Sequence, residues 1–205
     1  MQKTTKAMNG KRQKITTNSL VKISVLAVLS YILMLMDFPI PIFPSFLKLD
    51  FSDIPALLGG FALGPVAGVL IQLVKVVLYF LTNSSTGGVG ELANFLVGAA
   101  YIVPAAAIYH RKKDRTHALI GLILGIVSMT IVGAVTNIYI TLPFYSAFMP
   151  MDAIVEMGTV VNSKIVDINT LVLYGITPFN LLKGSIIAFV TLVVYKKVSP
   201  ILKNN

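Results

Sequence analysis

Five apolar runs decide what this chain can fold into: residues 18–36, 65–81, 91–109, 118–142 and 176–195. In hydrocarbon every backbone N–H and C=O must find its partner inside the segment, so an apolar run of about 20 residues reads as a membrane-spanning helix. A sixth run, residues 53–64 (DIPALLGGFALG), is shorter. At about 1.5 Å per residue it covers only about 18 Å, so it has to be extended, tilted or shielded by its neighbours. The expected fold class is all-α: a polytopic membrane protein of six transmembrane helices. Of 205 residues, 56% are hydrophobic and 12% charged, against about 25% charged for an average soluble domain. That excludes a conventional water-soluble enzyme and a disordered tail. Without cysteine there is no thiolate nucleophile, no Cys-type zinc site and no disulfide. A net charge of +9 does not point to nucleic acid, because the basic residues flank apolar runs instead of clustering on a soluble surface.

The basic residues set the orientation. Thirteen of 17 lie in three places: Lys3, Lys6, Lys11, Arg12, Lys14 and Lys22 at the start; Arg111, Lys112, Lys113 and Arg115 in one loop; Lys196, Lys197 and Lys203 at the end. Placing all three on the cytoplasmic side requires an even number of crossings, which six helices satisfy. The expected organisation is a basic cytoplasmic arm at residues 1–17, a single six-helix domain at 18–197 and a cytoplasmic tail at 198–205, with both termini inside. The first segment is retained: it runs nearly twenty residues and leads into DFPIPIFP with no small-residue cleavage site. Connections 37–52, 82–90 and 143–175 then face outward. The first is too rich in Pro and Phe to live in water, and is expected to pack over something. The third is too long for a plain turn. Its alternation from Val160 to Leu173 permits a short hairpin, and it is a candidate lid.

Polar side chains at bilayer depth are costly and face a bundle interior or a cavity. Here they gather at the outer ends of the helices. Glu91 and Asn94 share a face of the run 91–109, Asn137 and Thr141 of the run 118–142, and Asn180 and Lys183 of the run 176–195. Gln72 and Lys75 form a similar pair on the run 65–81; the stem of Lys75 is also long enough to snorkel outward. The inner halves are almost wholly Leu, Ile, Val, Ala and Gly. The expectation is one polar pocket open to the outside, closed below by apolar packing. Asn carries both a donor and an acceptor, so several Asn with one Lys and one Glu suit a neutral ligand of mixed donors and acceptors. His110 and His117 lie in the basic loop and read as solvated rather than as metal ligands.

No G-x-x-x-x-G-K-[ST] loop is present, so the chain is not a P-loop ATPase by itself. Neither a catalytic Ser-His-acid grouping nor a broken-helix repeat with midplane acids is visible. Uphill delivery therefore needs a partner protein. Small residues let another membrane helix approach, and Ser24, Ala27 and Ser30 on the first segment offer such a face.

Residues 50–98 (DFSDIPALLGGFALGPVAGVLIQLVKVVLYFLTNSSTGGVGELANFLVG), 136–145 (TNIYITLPFY) and 177–184 (TPFNLLKG) resemble the riboflavin-binding S components, RibU type, of energy-coupling factor (ECF) transporters. The resemblance extends over nearly all of residues 20–195. It implies a bacterial cytoplasmic-membrane subunit, not an enzyme and without a resident cofactor, that takes riboflavin from outside. Delivery inward would use a transmembrane coupling protein and two cytosolic ATPases. It also implies that Glu91, Asn94, Asn137, Asn180 and Lys183 contact the flavin, coinciding with residues already picked out by depth; Thr141 and Lys75 join the candidates by position alone. One departure concerns docking: such S components carry A-x-x-x-A on the first helix, whereas Ala27 is followed four residues later by Tyr31. An S component for thiamin or biotin, or a stand-alone secondary carrier, are the alternatives.

Overall fold

The computed structural model describes residues 16–203, with side chains up to residue 197. The basic arm therefore lies, except for its last two residues, outside the described residues, as do the side chains of the tail.

Helix α1 (Thr17–Leu35) begins where the Thr16 hydroxyl accepts the Ser19 N–H, satisfying one of the amides a helix start leaves unpaired. The chain then forms a two-stranded antiparallel ribbon, β1 (Phe38–Pro39) with β2 (Lys48–Leu49), pairing Phe38 with Leu49 and Pro39 with Lys48. Next come α2 (Asp53–Leu63) and α3 (Pro65–Asn83). Between them Gly64 takes φ 109°, open to glycine at no steric cost, and Pro65 starts α3 where its missing N–H is not needed. After α4 (Val89–Arg111) and a short basic turn, α5 (Arg115–Thr136) is capped by Asp114, whose Oδ1 accepts the His117 N–H at 2.8 Å. The helix runs on through a π-helical stretch, Asn137–Thr141, into α6 (Leu142–Ser146). Then follow α7 (Met151–Thr159), α8 (Ile168–Leu171), a second π-helical stretch at Val172–Ile176, and α9 (Thr177–Lys203).

Among the described residues five continuous helical segments are long and apolar enough to cross a membrane: Thr17–Leu35, Pro65–Asn83, Val89–Arg111, Arg115–Ser146 and Ile168–Lys197. With the shorter α2 these match the six runs in the sequence. Of the options open to the short helix, the protein uses shielding: every residue of α2 from Asp53 to Phe61 is buried. Outward-facing apolar side chains such as Val25, Ile123 and Phe189 remain exposed, at no cost against lipid chains.

Glycines bring the helix backbones together. A Cβ at Gly121 would lie 2.6 Å from the Ala105 carbonyl oxygen, and one at Gly125 2.7 Å from that of Tyr101, so α4 and α5 are in backbone contact. One apolar cluster, including Leu26, Leu57, Phe61, Ile71, Tyr101, Ile102 and Ile187, fills the middle of the bundle and one of its ends. A smaller one gathers Leu142, Ile154, Ile165, Leu171, Val172 and Ile176 at the other end, with Phe46 and Leu47 of the first connection packed against it.

The last connection corrects the sequence reading: it contains no hairpin. Residues 160–167 are a turn between two helices, held by the Thr159 hydroxyl donating to the Ile165 carbonyl at 2.7 Å and by a capping box at Asp167 and Thr170. These side-chain bonds to nearby backbone outcompete a weak alternation. His110 is a second correction. Its Nε2 lies 3.1 Å from both the Gly60 and Phe61 carbonyl oxygens, half-buried against α2, rather than in a solvated loop.

The Thr170 backbone N–H, chief among its hydrogen bonds, holds the Asp167 carboxyl below the ordinary carboxylate range. A depressed carboxyl stabilises the fold above its ordinary value and stops doing so as pH falls through the lower folded one. The protection of the Thr170 amide against hydrogen exchange, taken relative to the intrinsic rate at each pH, should therefore fall on acidification below about pH 4, and already at neutral pH in Asp167→Ala.

Candidate functional site

Charges brought into the bundle must be paired, and the pairing builds the site. Lys183 on α9 donates to Asp50 Oδ2 at 2.7 Å, and Lys75 on α3 donates to Asp53 Oδ1 at 3.1 Å and the Ser52 hydroxyl at 2.9 Å. All four charged groups are buried, Lys75 completely. The Ser52 N–H donates to Asp50 Oδ1 at 2.8 Å, and the Ser30 hydroxyl donates to the Ser52 carbonyl. Four residues, Asp50 to Asp53, thus tie α1, α3 and α9 to the entrance of α2. Burial alone would raise the Asp50 carboxyl, but the Lys183 and Lys75 ammoniums outweigh it and hold the group well below the ordinary range.

Above this junction lies a cavity of about 380 Å³, within the range of small-molecule sites. Glu91, Asn94, Asn137, Thr141, Asn180 and Lys183, all expected from the sequence, line it together. Lys75 does not; it stands behind the wall and holds Asp53, which does line it. Nor does Lys75 snorkel.

The wall neutralises most of its own charge. Of its four carboxylates, Asp37 has Lys48 at 3.2 Å, Asp50 has Lys183 and Asp53 has Lys75; among the described residues only Glu91 lacks a cation, its Oε2 accepting the Thr86 hydroxyl at 2.8 Å. A neutral ligand is the one such a chamber suits.

The three amides are each held by one end. Asn137 Nδ2 donates to the Gly133 carbonyl at 2.8 Å, and Asn180 Nδ2 to that of Ile176 at 3.1 Å. Both leave the side-chain carbonyl oxygen available. Gly133 also makes room for Asn180, whose Nδ2 would lie 2.6 Å from a Cβ there. Asn94 is held the other way round: its Oδ1 accepts from Gln72 Nε2 at 3.2 Å, and its backbone carbonyl accepts from the same nitrogen at 3.1 Å. Thr141 Oγ1 is buried with no hydrogen-bond partner among the described residues.

The first outer connection packs as its composition demands. Phe43 is buried edge-on against Phe179 at 5.4 Å between ring centroids, next to Asn180, while Phe46 and Leu47 line the cavity. Beneath, Met129 and Val97 close the floor, and the Tyr101 hydroxyl donates to the Gly184 carbonyl at 2.8 Å. The sequence did not single out Asp50, Asp53 or Thr86 as parts of the site. The signal for the first two was available: Lys75 and Lys183 inside apolar runs require acidic partners, and these lie in the adjoining loop.

The docking face expected on α1 needs correcting. Ala27 and Ser30 have no exposed surface, the first packed in the central cluster and the second bonded to Ser52. Ser24 alone of the three faces outward, its hydroxyl turned back to the Leu20 carbonyl.

A lipid-embedded bundle with one polar chamber at one end and an apolar seal beneath defines a polytopic membrane protein built to hold a small molecule. The model of the family described as "ECF transporter, substrate-specific component" matches residues 18–195. The chain is 37% identical over 198 residues to riboflavin transporter RibU of Staphylococcus aureus, covering 96% of this chain and 99% of that protein. It is 34% identical over 183 residues to riboflavin transporter FmnP of Bacillus subtilis, covering 88% and 92%. A solved structure described as "Structure and mechanism of the S component of a bacterial ECF transporter" superposes with a TM-score of 0.71 at 36% identity, over 91% of this chain and 98% of that one. The chain belongs to the ECF transporter substrate-specific components and is a multi-pass bacterial membrane protein.

Proposed function

We propose that this protein captures riboflavin from the outer side of the cytoplasmic membrane in the cavity of Glu91, Asn94, Asn137, Thr141, Asn180 and Lys183. It hands the vitamin inward in complex with a transmembrane coupling protein and two cytosolic ATPases, which supply the energy that this chain, lacking a nucleotide-binding loop, does not. Both termini are cytoplasmic in this arrangement, as the basic clusters favour.

The polarity of the held amides carries the reading. The isoalloxazine ring has a uracil-like edge, an N–H between two carbonyls. Asn137 and Asn180 leave side-chain oxygens to accept the N–H, while the Asn94 amide nitrogen and the Lys183 ammonium offer donors to carbonyls. Glu91 has lone pairs left for ribityl hydroxyls, and the orphaned Thr141 hydroxyl gains a partner. Phe179 and Tyr145 line the same chamber and supply apolar surface for the ring. Lys75 acts from behind, by fixing Asp53. The names of the relatives support the same ligand.

Protein purified in detergent should quench riboflavin fluorescence on titration and retain a flavin absorbance band. Asn180→Ala should weaken binding at least tenfold, since a well-placed buried hydrogen bond contributes about 0.5 to 1.5 kcal/mol and its loss leaves a ligand donor unpaired. Unchanged fluorescence with wild-type protein would sink the proposal.

A further inference from the structure

Gln72 does not itself line the cavity, and the function above does not use it. Yet its side chain is completely buried, and both groups facing its amide nitrogen, the Asn94 backbone carbonyl and side-chain Oδ1, are acceptors. The slot it occupies is made for it. A Cβ at Gly98, one turn along α4, would lie 1.9 Å from Gln72 Nε2, so any side chain there would expel the amide. The opposite end of the amide, Oε1, is buried with no hydrogen-bond partner among the described residues.

A backbone carbonyl can only accept, which settles the Gln72 amide with its nitrogen toward Asn94. That nitrogen in turn obliges Asn94 to present Oδ1 to it. What Asn94 has left for the cavity is its Nδ2. We infer that Gln72 is a positioning residue that makes Asn94 a fixed hydrogen-bond donor, so that the chamber demands an acceptor from its ligand at that point. Without Gln72 the Asn94 amide can rotate, and its oxygen can meet a ligand acceptor. The identity of the ligand rests on the riboflavin reading; the orientation of the amide does not.

The test uses the full chain in detergent with riboflavin as probe. Gln72→Met keeps the bulk and removes the donor, and should weaken binding about tenfold, the factor that about 1.4 kcal/mol represents. The same loss is expected in an Asn180→Ala background, and no further loss in Asn94→Ala. A residue that only supports packing would lower affinity equally in all three backgrounds, and that result would overturn the inference. Should Gln72→Met fail to fold, Gly98→Ala displaces the amide without changing it and should give the same pattern. Independently of any ligand, protein labelled with ¹⁵N at asparagine should show the Asn94 carboxamide resonance, identified by its loss in Asn94→Ala, shifting in Gln72→Met while those of Asn137 and Asn180 stay in place. An unmoved Asn94 signal refutes the positioning role even in a protein that ignores riboflavin. Failure of wild-type protein to bind riboflavin, with the Asn94 signal shifting as expected, refutes the ligand and leaves the positioning role standing.

Discussion

Asp50→Asn should lower the melting temperature of the purified protein more than any substitution on its lipid-facing flanks. The change leaves the ammonium of Lys183, a residue only 7% exposed, without its charge partner at 2.7 Å. Removing one member of a buried ion pair costs about 3 to 5 kcal/mol, while replacing both by uncharged groups of similar size is often neutral. The double variant Asp50→Asn/Lys183→Met is therefore expected to recover most of the lost stability, followed by circular dichroism during heating. It should not recover riboflavin binding, because the ammonium lines the cavity. A double variant as unstable as the single one would mean that the pair contributes more than the cost of leaving a charge alone.

The second large effect is expected at the crossing of α4 and α5. Gly121→Ala places a methyl 2.6 Å from the Ala105 carbonyl oxygen and 3.2 Å from its Cα. Neither backbone atom can swing aside, so the helices themselves must part. At Gly184 the neighbours are side chains, the Met129 sulfur at 3.0 Å and an Ile126 carbon at 3.1 Å, and these can adopt other rotamers. Overpacking costs about 1 to 3 kcal/mol and more where nothing yields. Gly121→Ala should accordingly lose most of its monodisperse protein on size-exclusion chromatography, and Gly184→Ala only a few degrees of melting temperature. Equal behaviour of the two would show that the α4–α5 contact is softer than its geometry implies.

The elements that could be read along the chain were those whose causes are local. Each spanning helix satisfies its own backbone, so the apolar runs located all five long ones and flagged the sixth as too short to stand alone. The clustering of Glu91, Asn94, Asn137, Thr141, Asn180 and Lys183 at one end was equally legible, because the price of a polar group in lipid does not depend on which neighbour it meets. Less accessible were features in which near-equal local options compete. The alternating residues after Val160 could be a strand or a capped turn, and Asp167 and Thr170 decided for the turn. Small residues on α1 could face a partner or the bundle; Ala27 and Ser30 are spent on the bundle. The π-helical stretches at Asn137–Thr141 and Val172–Ile176 have no signature in composition.

The sequence by itself determined that this chain lives in a bilayer, where its helices run and that its costly side chains collect toward one surface, since each of these follows from residues solvated one at a time by hydrocarbon or water. Only the tertiary structure decided that Asp50 answers Lys183 across 133 positions of chain, that Lys75 stands behind the cavity rather than in it, and which end of each asparagine amide is left for a ligand. Charge pairing and hydrogen-bond direction act over a few ångströms between groups far apart in sequence, and those distances exist only once the helices have packed.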